Sequence, residues 1–409
     1  MLLTSLLLLT CQSPVAPTAV APDDEGAFVA QGVEILLAMQ EDYRPDPPVG
    51  RLDEDQLTAW QTKERARLDV LRQDASAPSE WPYEGVYRVG PDGRIPSGYR
   101  VGGTSIVCLA LLAAWPEGGE RSRRALGRGV DFVVDGLDSM DDLAKGAKRG
   151  YDVRGWGFTY ALALALDGLD HPALDEPRRE ALRASVPGLI ERLAANREQG
   201  GGWNYAGRGV SPFQTGATLL ELYEARARGF EIPQDLIQTA LEALEAGRTK
   251  STTFAYSGPA RSPVAGPGSA ARSSVAELAM QLAGRSDDLG VERAIAVFFD
   301  GWDELLARAG KQGTHEGEFG IAPYYFMFGH LYAAEAIEQL PPKVRAAWRR
   351  ELMDKLQQTR DPWGGWNDRI FPRSQAYGTA MALLAIRASE RKRPSLDQRP
   401  GEAGASSGG

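Results

Sequence analysis

Six apolar runs recur along the chain at a near-constant interval, and each opens on small residues. They are GGTSIVCLALLAAW from Gly102, WGFTYALALALDGL from Trp156 and TGATLLELYEA from Thr215, then SSVAELAMQLAG from Ser273, MFGHLYAAEAI from Met327 and YGTAMALLAI from Tyr377. Counted from Gly103, Phe158, Gly216, Ser274, Gly329 and Gly378, the intervals are 55, 58, 58, 55 and 49 residues. A period of that size marks a supersecondary unit that buries its apolar face only against its neighbours. The runs are rich in Ala and Leu and poor in β-branched residues. They read as helices, apolar nearly all round and hence buried.

A more polar, amphipathic stretch accompanies each run: residues 28–43, 122–137, 176–196, 235–247, 291–309 and 342–356. Pro342 opens the last, with Val344, Trp348, Leu352 and Leu356 as its apolar stripe. Asp235 suits an N-cap and Gly247 a stop, while Pro187 is expected to kink or split its helix. An open stack of such pairs would need polar caps at both ends, and no terminal repeat differs in that way. The expectation is an all-α fold, an α6/α6 toroid: a double ring of six helical hairpins. It occupies residues 27–389 as one domain, with an insertion at 44–97 that holds a charged helix near 55–73.

The joints between hairpins carry their own pattern. QQTRDPWGGWND, Gln357 to Asp368, has a counterpart in NREQGGGWNY, Asn196 to Tyr205, and Arg154-Gly155-Trp156-Gly157 is a fainter third. The Gln358 amide suits the free carbonyls at an outer-helix end, the glycines a tight reversal, and Trp203 and Trp366 the gap between hairpins. With these motifs (Gln358…Gly364-Gly365-Trp366 and Asn196…Gly201-Gly202-Trp203), about Phe28 to Ala388 resembles the prenyltransferase/squalene oxidase repeat proteins, in a bacterial exported form. That terpene cyclase-like superfamily includes squalene–hopene cyclases and protein prenyltransferase β subunits, and complement-like thioester domains share its toroid.

The chemistry which the resemblance implies is not spelled out in the residues. No D-x-D-D acid motif occurs; the nearest match, Asp138-Ser-Met-Asp-Asp142, is expected in a loop after an outer helix. Cys108 lacks the aspartate two residues before it that a prenyltransferase zinc site would have, and His171, His315 and His330 are scattered. There is no C-G-E-Q thioester motif and no G-x-S-x-G elbow. Thr314 to Gly320, THEGEFG, lacks metal-ligand spacing. No metal and no cofactor is expected.

Aromatics crowd the starts of the apolar runs, which a toroid brings together at one mouth. Tyr99, Trp156, Tyr160, Tyr325 and Tyr377, with Arg272 and His330, form the expected cavity lining. Glu277, Asp152 and His330 are the catalytic candidates. Glu277 suits either a buried carboxyl of raised pKa or an ion pair with Arg272. An enzyme would need some of Glu277, Asp152, Glu221 and His330 to face the cavity.

The net charge of 46 − 55 = −9 and the lack of a basic block argue against nucleic acid. Residues 1–26 read as a signal or lipoprotein leader and linker. Leu8-Leu9-Thr10-Cys11 suits lipidation at Cys11 and a membrane tether, Ala19-Val20-Ala21 suits cleaved export, and a plain disordered leader is the third reading. Extracytoplasmic placement, as a membrane-anchored or periplasmic protein, follows from the first two. Residues 390–409 read as a disordered tail by composition. The functional expectation is an exported toroid that binds a small apolar or glycan ligand, or a protein, at its central cavity. The alternative is a terpene cyclase- or prenyltransferase-like enzyme with a diverged acid, and glycan chemistry is a third possibility.

Overall fold

A computed structural model describes residues 25–41, 53–73, 79–83, 95–141, 153–205, 209–261, 266–311, 321–369, 371 and 373–397. Cys11, Asp142, Asp152 and the Thr314–Gly320 segment lie outside the described residues. Those described contain fourteen α-helices and no strand, with one isolated bridge between Arg248 and Phe254. In chain order these are α1 (Glu25–Ala38), α2 (Glu54–Gln73), α3 (Ser97–Ala113), α4 (Gly119–Asp141), α5 (Arg154–Gly168), α6 (Glu176–Ala195) and α7 (Pro212–Ala227). They continue with α8 (Gln234–Gly247), α9 (Ala270–Leu282), α10 (Asp288–Asp300), α11 (Trp302–Arg308), α12 (Tyr325–Gln339), α13 (Pro342–Gln358) and α14 (Ser374–Ile386). None of these helices is long and apolar enough to cross a membrane.

The six apolar runs are α3, α5, α7, α9, α12 and α14. Each touches the next, and α14 returns to α3, so the inner ring is closed. The amphipathic helices α1, α4, α6, α8, α10 and α13 pack outside it, giving the α/α toroid. From α4 onward, each outer helix packs chiefly on the inner helix before it and less on the one after it. Connection length explains the choice. Only two residues separate α12 from α13, whereas fifteen separate α13 from α14, and short connections make antiparallel neighbours.

Two outer helices depart from their sequence reading. Helix α6 runs unbroken through Pro187, whose ring faces solvent. Residues 291–309 divide into α10 and α11 at Gly301, where an added Cβ would meet the Cβ of Ala270 at 2.8 Å. Asp235 lies inside the first turn of α8, with Pro233 at its N-cap. There the Asp235 carboxylate accepts from Arg197 at 3.2 Å.

The tryptophan joints staple outer to inner helices by a repeated set of bonds. Trp366 donates its indole N–H to the carbonyl of Leu356 near the end of α13 at 2.8 Å, and Trp203 does the same to Leu193 of α6 at 2.8 Å. Backbone N–H of each tryptophan donates to a threonine of the next inner helix, Thr379 at 3.1 Å and Thr215 at 2.9 Å. The indole therefore satisfies the helix-end carbonyl, the task expected of Gln358, whose own side chain is exposed. Left-handed glycines make the reversal, Gly201 at φ +82° and Gly364 at φ +89°.

A third full joint lies in the insertion. Trp81, 1% exposed, donates its indole to Leu36 of α1 at 2.7 Å and its backbone N–H to Thr104 of α3 at 2.9 Å. The Arg154-Gly155-Trp156-Gly157 pattern is instead the first turn of α5. Gly103 and Gly378 admit the joints: a Cβ there would stand 2.5 Å from a carbonyl oxygen of Trp81 or Trp366.

The C-terminal ends of the inner helices are closed by the chain itself. Residues 387–397 turn under the ring, and Leu396 donates its N–H to Leu282 at the end of α9 at 2.8 Å. Arg393, 1% exposed, bonds Glu335 of α12 at 2.8 and 3.0 Å, and its Nη1 stands 2.8 Å from Glu221 of α7. Arg391 reaches Asp167 of α5 at 3.2 Å and Glu221 at 3.1 Å. The reading of everything from Glu390 as a disordered tail thus fails through Asp397. Composition shows the basic run, but not the two buried carboxylates, Glu221 and Glu335, and the half-buried Asp167 that meet it.

Candidate functional site

Helix starts meet at the opposite end of the ring. Around α3, α5 and α14, Tyr83, Tyr99, Trp156 and Tyr377 cluster with ring centroids 4.4–6.3 Å apart, and Tyr160 meets Trp156 edge-on at 5.3 Å. Around α7, α9 and α12, Phe213 stacks on Phe328 at 3.8 Å, with Tyr205, Tyr324 and Tyr325 against its edges. Below these clusters the lumen is spanned. Tyr160 of α5 and Tyr332 of α12, on opposite helices of the ring, bring their hydroxyls to 3.2 Å. This contact bridges the middle of the ring and separates its N-terminal end from its C-terminal end.

The position two residues after each joint tryptophan serves this end. Trp81 leads to Tyr83, Trp203 to Tyr205 and Trp366 to Asp368. A chain leaving the staple in extended form returns to the same face after two residues, so the joint both fastens the hairpins and delivers a side chain.

Asp368 is fully buried, and neither of its carboxyl oxygens has a hydrogen-bond partner. Burial raises its pKa to about 8, against the pull of the neighbouring Arg369, so the group holds its proton at neutral pH. Tyr83 and Tyr377 beside it are raised as well, first by burial and then by the Asp368 charge.

Arg272, 5% exposed, sits at the start of α9 on the other side of this end. Its Nε donates to the carbonyls of Phe254 at 3.0 Å and Ala255 at 3.1 Å, and its Nη1 to that of Gly268. Burial lowers its pKa, and the tyrosines Tyr325, Tyr256 and Tyr324 partly offset that. Tyr324 donates to the Tyr205 hydroxyl at 2.7 Å, and the Tyr205 and Tyr256 hydroxyls are 2.7 Å apart.

The candidates named from sequence are divided by this geometry. Tyr99, Trp156, Tyr160, Tyr377, Arg272 and Tyr325 stand at the N-terminal end. His330 does not: it is wholly buried between helices, with Nδ1 on the Phe326 carbonyl and Nε2 accepting from the Trp302 indole at 3.0 Å. Burial lowers its pKa to about 4, so it is a neutral, satisfied core imidazole. Glu277 pairs with Arg248 and Ser286, not with Arg272, and points toward the start of α10. Burial raises its pKa, while Ser286 and Arg248 oppose that. Glu221 belongs to the plug at the far end. Of the four acid–base candidates, the three described all face structure.

Asp368, Tyr83 and Tyr205 are the site residues the sequence reading passed over. Their signal was present in the register, two residues past a joint tryptophan. Cys108 is a buried free thiol pushed up by burial, facing Gly129 of the outer ring.

No protein-family model matches this chain, and no curated protein matches it by sequence. Among solved structures, an apo type II terpene cyclase from Scytonema aligns over 90% of this chain and 99% of its own, at 12% identity and a TM-score of 0.42. A possible member of the GH105 family from Salmonella enterica serovar Paratyphi A aligns over 92% and 97%, at 11% identity and a TM-score of 0.45. At these values neither likeness carries an activity or a substrate over to this chain.

Proposed function

We propose that this chain is an exported toroid that takes a small ligand, apolar or glycan, at the aromatic N-terminal end of its inner ring. One observation carries the reading: two aromatic clusters converge there around a buried guanidinium, Arg272, with no direct ion pair, and a buried carboxyl, Asp368, with no hydrogen-bond partner on either oxygen. Aromatic faces suit both an apolar chain and the face of a sugar ring. Native mass spectrometry of the protein from its own membrane or periplasmic fraction tests it. A stoichiometric isoprenoid or glycan supports the reading. An empty protein with a diacylglyceryl group on Cys11 would instead favour a tethered scaffold for a protein partner.

Asp368 favours a second reading, a cyclase-like or prenyltransferase-like enzyme with a diverged acid. A carboxyl protonated at pH 7 in an apolar setting is able to deliver a proton, and surrounding rings stabilise a cation that forms. Incubation with polyprene substrates is the check. Product formation that disappears in Asp368→Asn supports this reading, and an inert wild-type protein sinks it.

A further inference from the structure

Four arginines are buried in the described residues, and they differ in what faces them. Arg373 has Glu41, Arg393 has Glu221 and Glu335, and Arg369 stands beside Asp368. Arg272 makes no ion pair; its partners are backbone carbonyls and tyrosines. Carbonyl dipoles and the Tyr256 ring, 5.8 Å from the guanidinium carbon, ease the burial of this charge without neutralising it. An uncompensated buried charge is costly, and an anion arriving from outside would offset that cost.

We propose that Arg272, with the hydroxyls of Tyr205, Tyr256, Tyr324 and Tyr325, binds the carboxylate of the ligand that enters the N-terminal end. The inference rests on the ligand-binding reading above and adds a charge to that ligand. Tyr256, 43% exposed, links the buried guanidinium to solvent and gives the anion its way in. Each tyrosine hydroxyl carries one donor and can turn it from its neighbour toward an arriving oxygen. The phenols are neutral, since burial raises Tyr205, Tyr324 and Tyr325, so among the described residues the site holds a single buried positive charge. One guanidinium balances a monoanion. A phosphate or diphosphate would bring more charge than the site offsets, and a planar carboxylate matches the guanidinium fork.

The test is calorimetric titration of the full chain with octanoate and octanol, with glucuronate and methyl glucoside, and with inorganic phosphate. One carboxylate is expected to bind at least about tenfold more tightly than its neutral counterpart, as a charge-assisted hydrogen bond supplies. Preference for octanoate or for glucuronate tells whether the carboxylate arrives on an apolar chain or a sugar. Arg272→Gln is expected to abolish the preference, and Tyr256→Phe to reduce it severalfold with an unchanged melting temperature. Equal binding of acid and neutral probes sinks the carboxylate site and leaves the aromatic ligand site standing. Phosphate binding as tight as carboxylate binding, or a preference that survives both substitutions, also overturns it. A protein that binds no probe loses both readings.

Discussion

The two ends of the inner ring treat buried charge in opposite ways. At the C-terminal end, Arg391 and Arg393 meet Asp167, Glu221 and Glu335, each within reach of a partner. The carboxylates outweigh burial and hold Arg393 well above its usual range. At the N-terminal end, Arg272 has no carboxylate and neither carboxyl oxygen of Asp368 has a hydrogen-bond partner. The C-terminal end pairs its charges, whereas the N-terminal end keeps one guanidinium without a carboxylate and one carboxyl that holds its proton. Both ends are built on the same helices, so the contrast separates what supports the toroid from what the toroid presents.

Removing a paired charge should therefore cost more than removing an unpaired one. Arg393→Met leaves Glu221 and Glu335 buried without their main partner, and should lower unfolding free energy by about 3–5 kcal/mol in urea denaturation. A loss under about 1 kcal/mol would mean the plug closes nothing. The pH profile sharpens the contrast. Asp368 has a raised folded pKa of about 8, so in the unfolded chain it gives up its proton several pH units earlier. Its contribution is fully present below about pH 4 and is lost as pH rises through 8, a change of roughly 6 kcal/mol. Asp368→Asn should flatten that part of the stability profile, and a profile identical to wild type would remove the basis for an unpaired carboxyl.

The joints give a smaller effect at a neutral position. Trp366→Phe keeps the ring but leaves the Leu356 carbonyl buried without its donor, which costs about 1–3 kcal/mol. Gln358→Ala, at an exposed side chain, should change stability by no more than about 0.5 kcal/mol. The reverse order would return the capping role to glutamine.

The ring was legible in the sequence because its cause is periodic. Six apolar runs at 49–58 residues admit few arrangements, and the Ala/Leu composition settles helix over strand. Residues that act through a helix start were legible too, since Tyr99, Trp156 and Tyr377 follow from the same period. What escaped depends on pairings remote in sequence. Nothing near Glu277 names Arg248 as its partner, and nothing near Arg393 names Glu335, 58 residues away. His330 carried the right residue type at the start of a buried helix, yet its imidazole turns outward to Trp302. Trp81 was hidden because its distance to Thr104 is 23 residues, against 12 and 13 in the other two joints. Asp368 was hidden in plain view, inside a motif read only for its tryptophan.

One measurement compares the two ends directly: thermal and urea unfolding of Asp368→Asn against Glu335→Gln at pH 9, since both remove a carboxylate with almost no change of shape. The account predicts opposite signs, with Asp368→Asn more stable than wild type and Glu335→Gln less stable. Losses of similar size in both variants would contradict it, because Asp368 would then be as firmly paired as the plug.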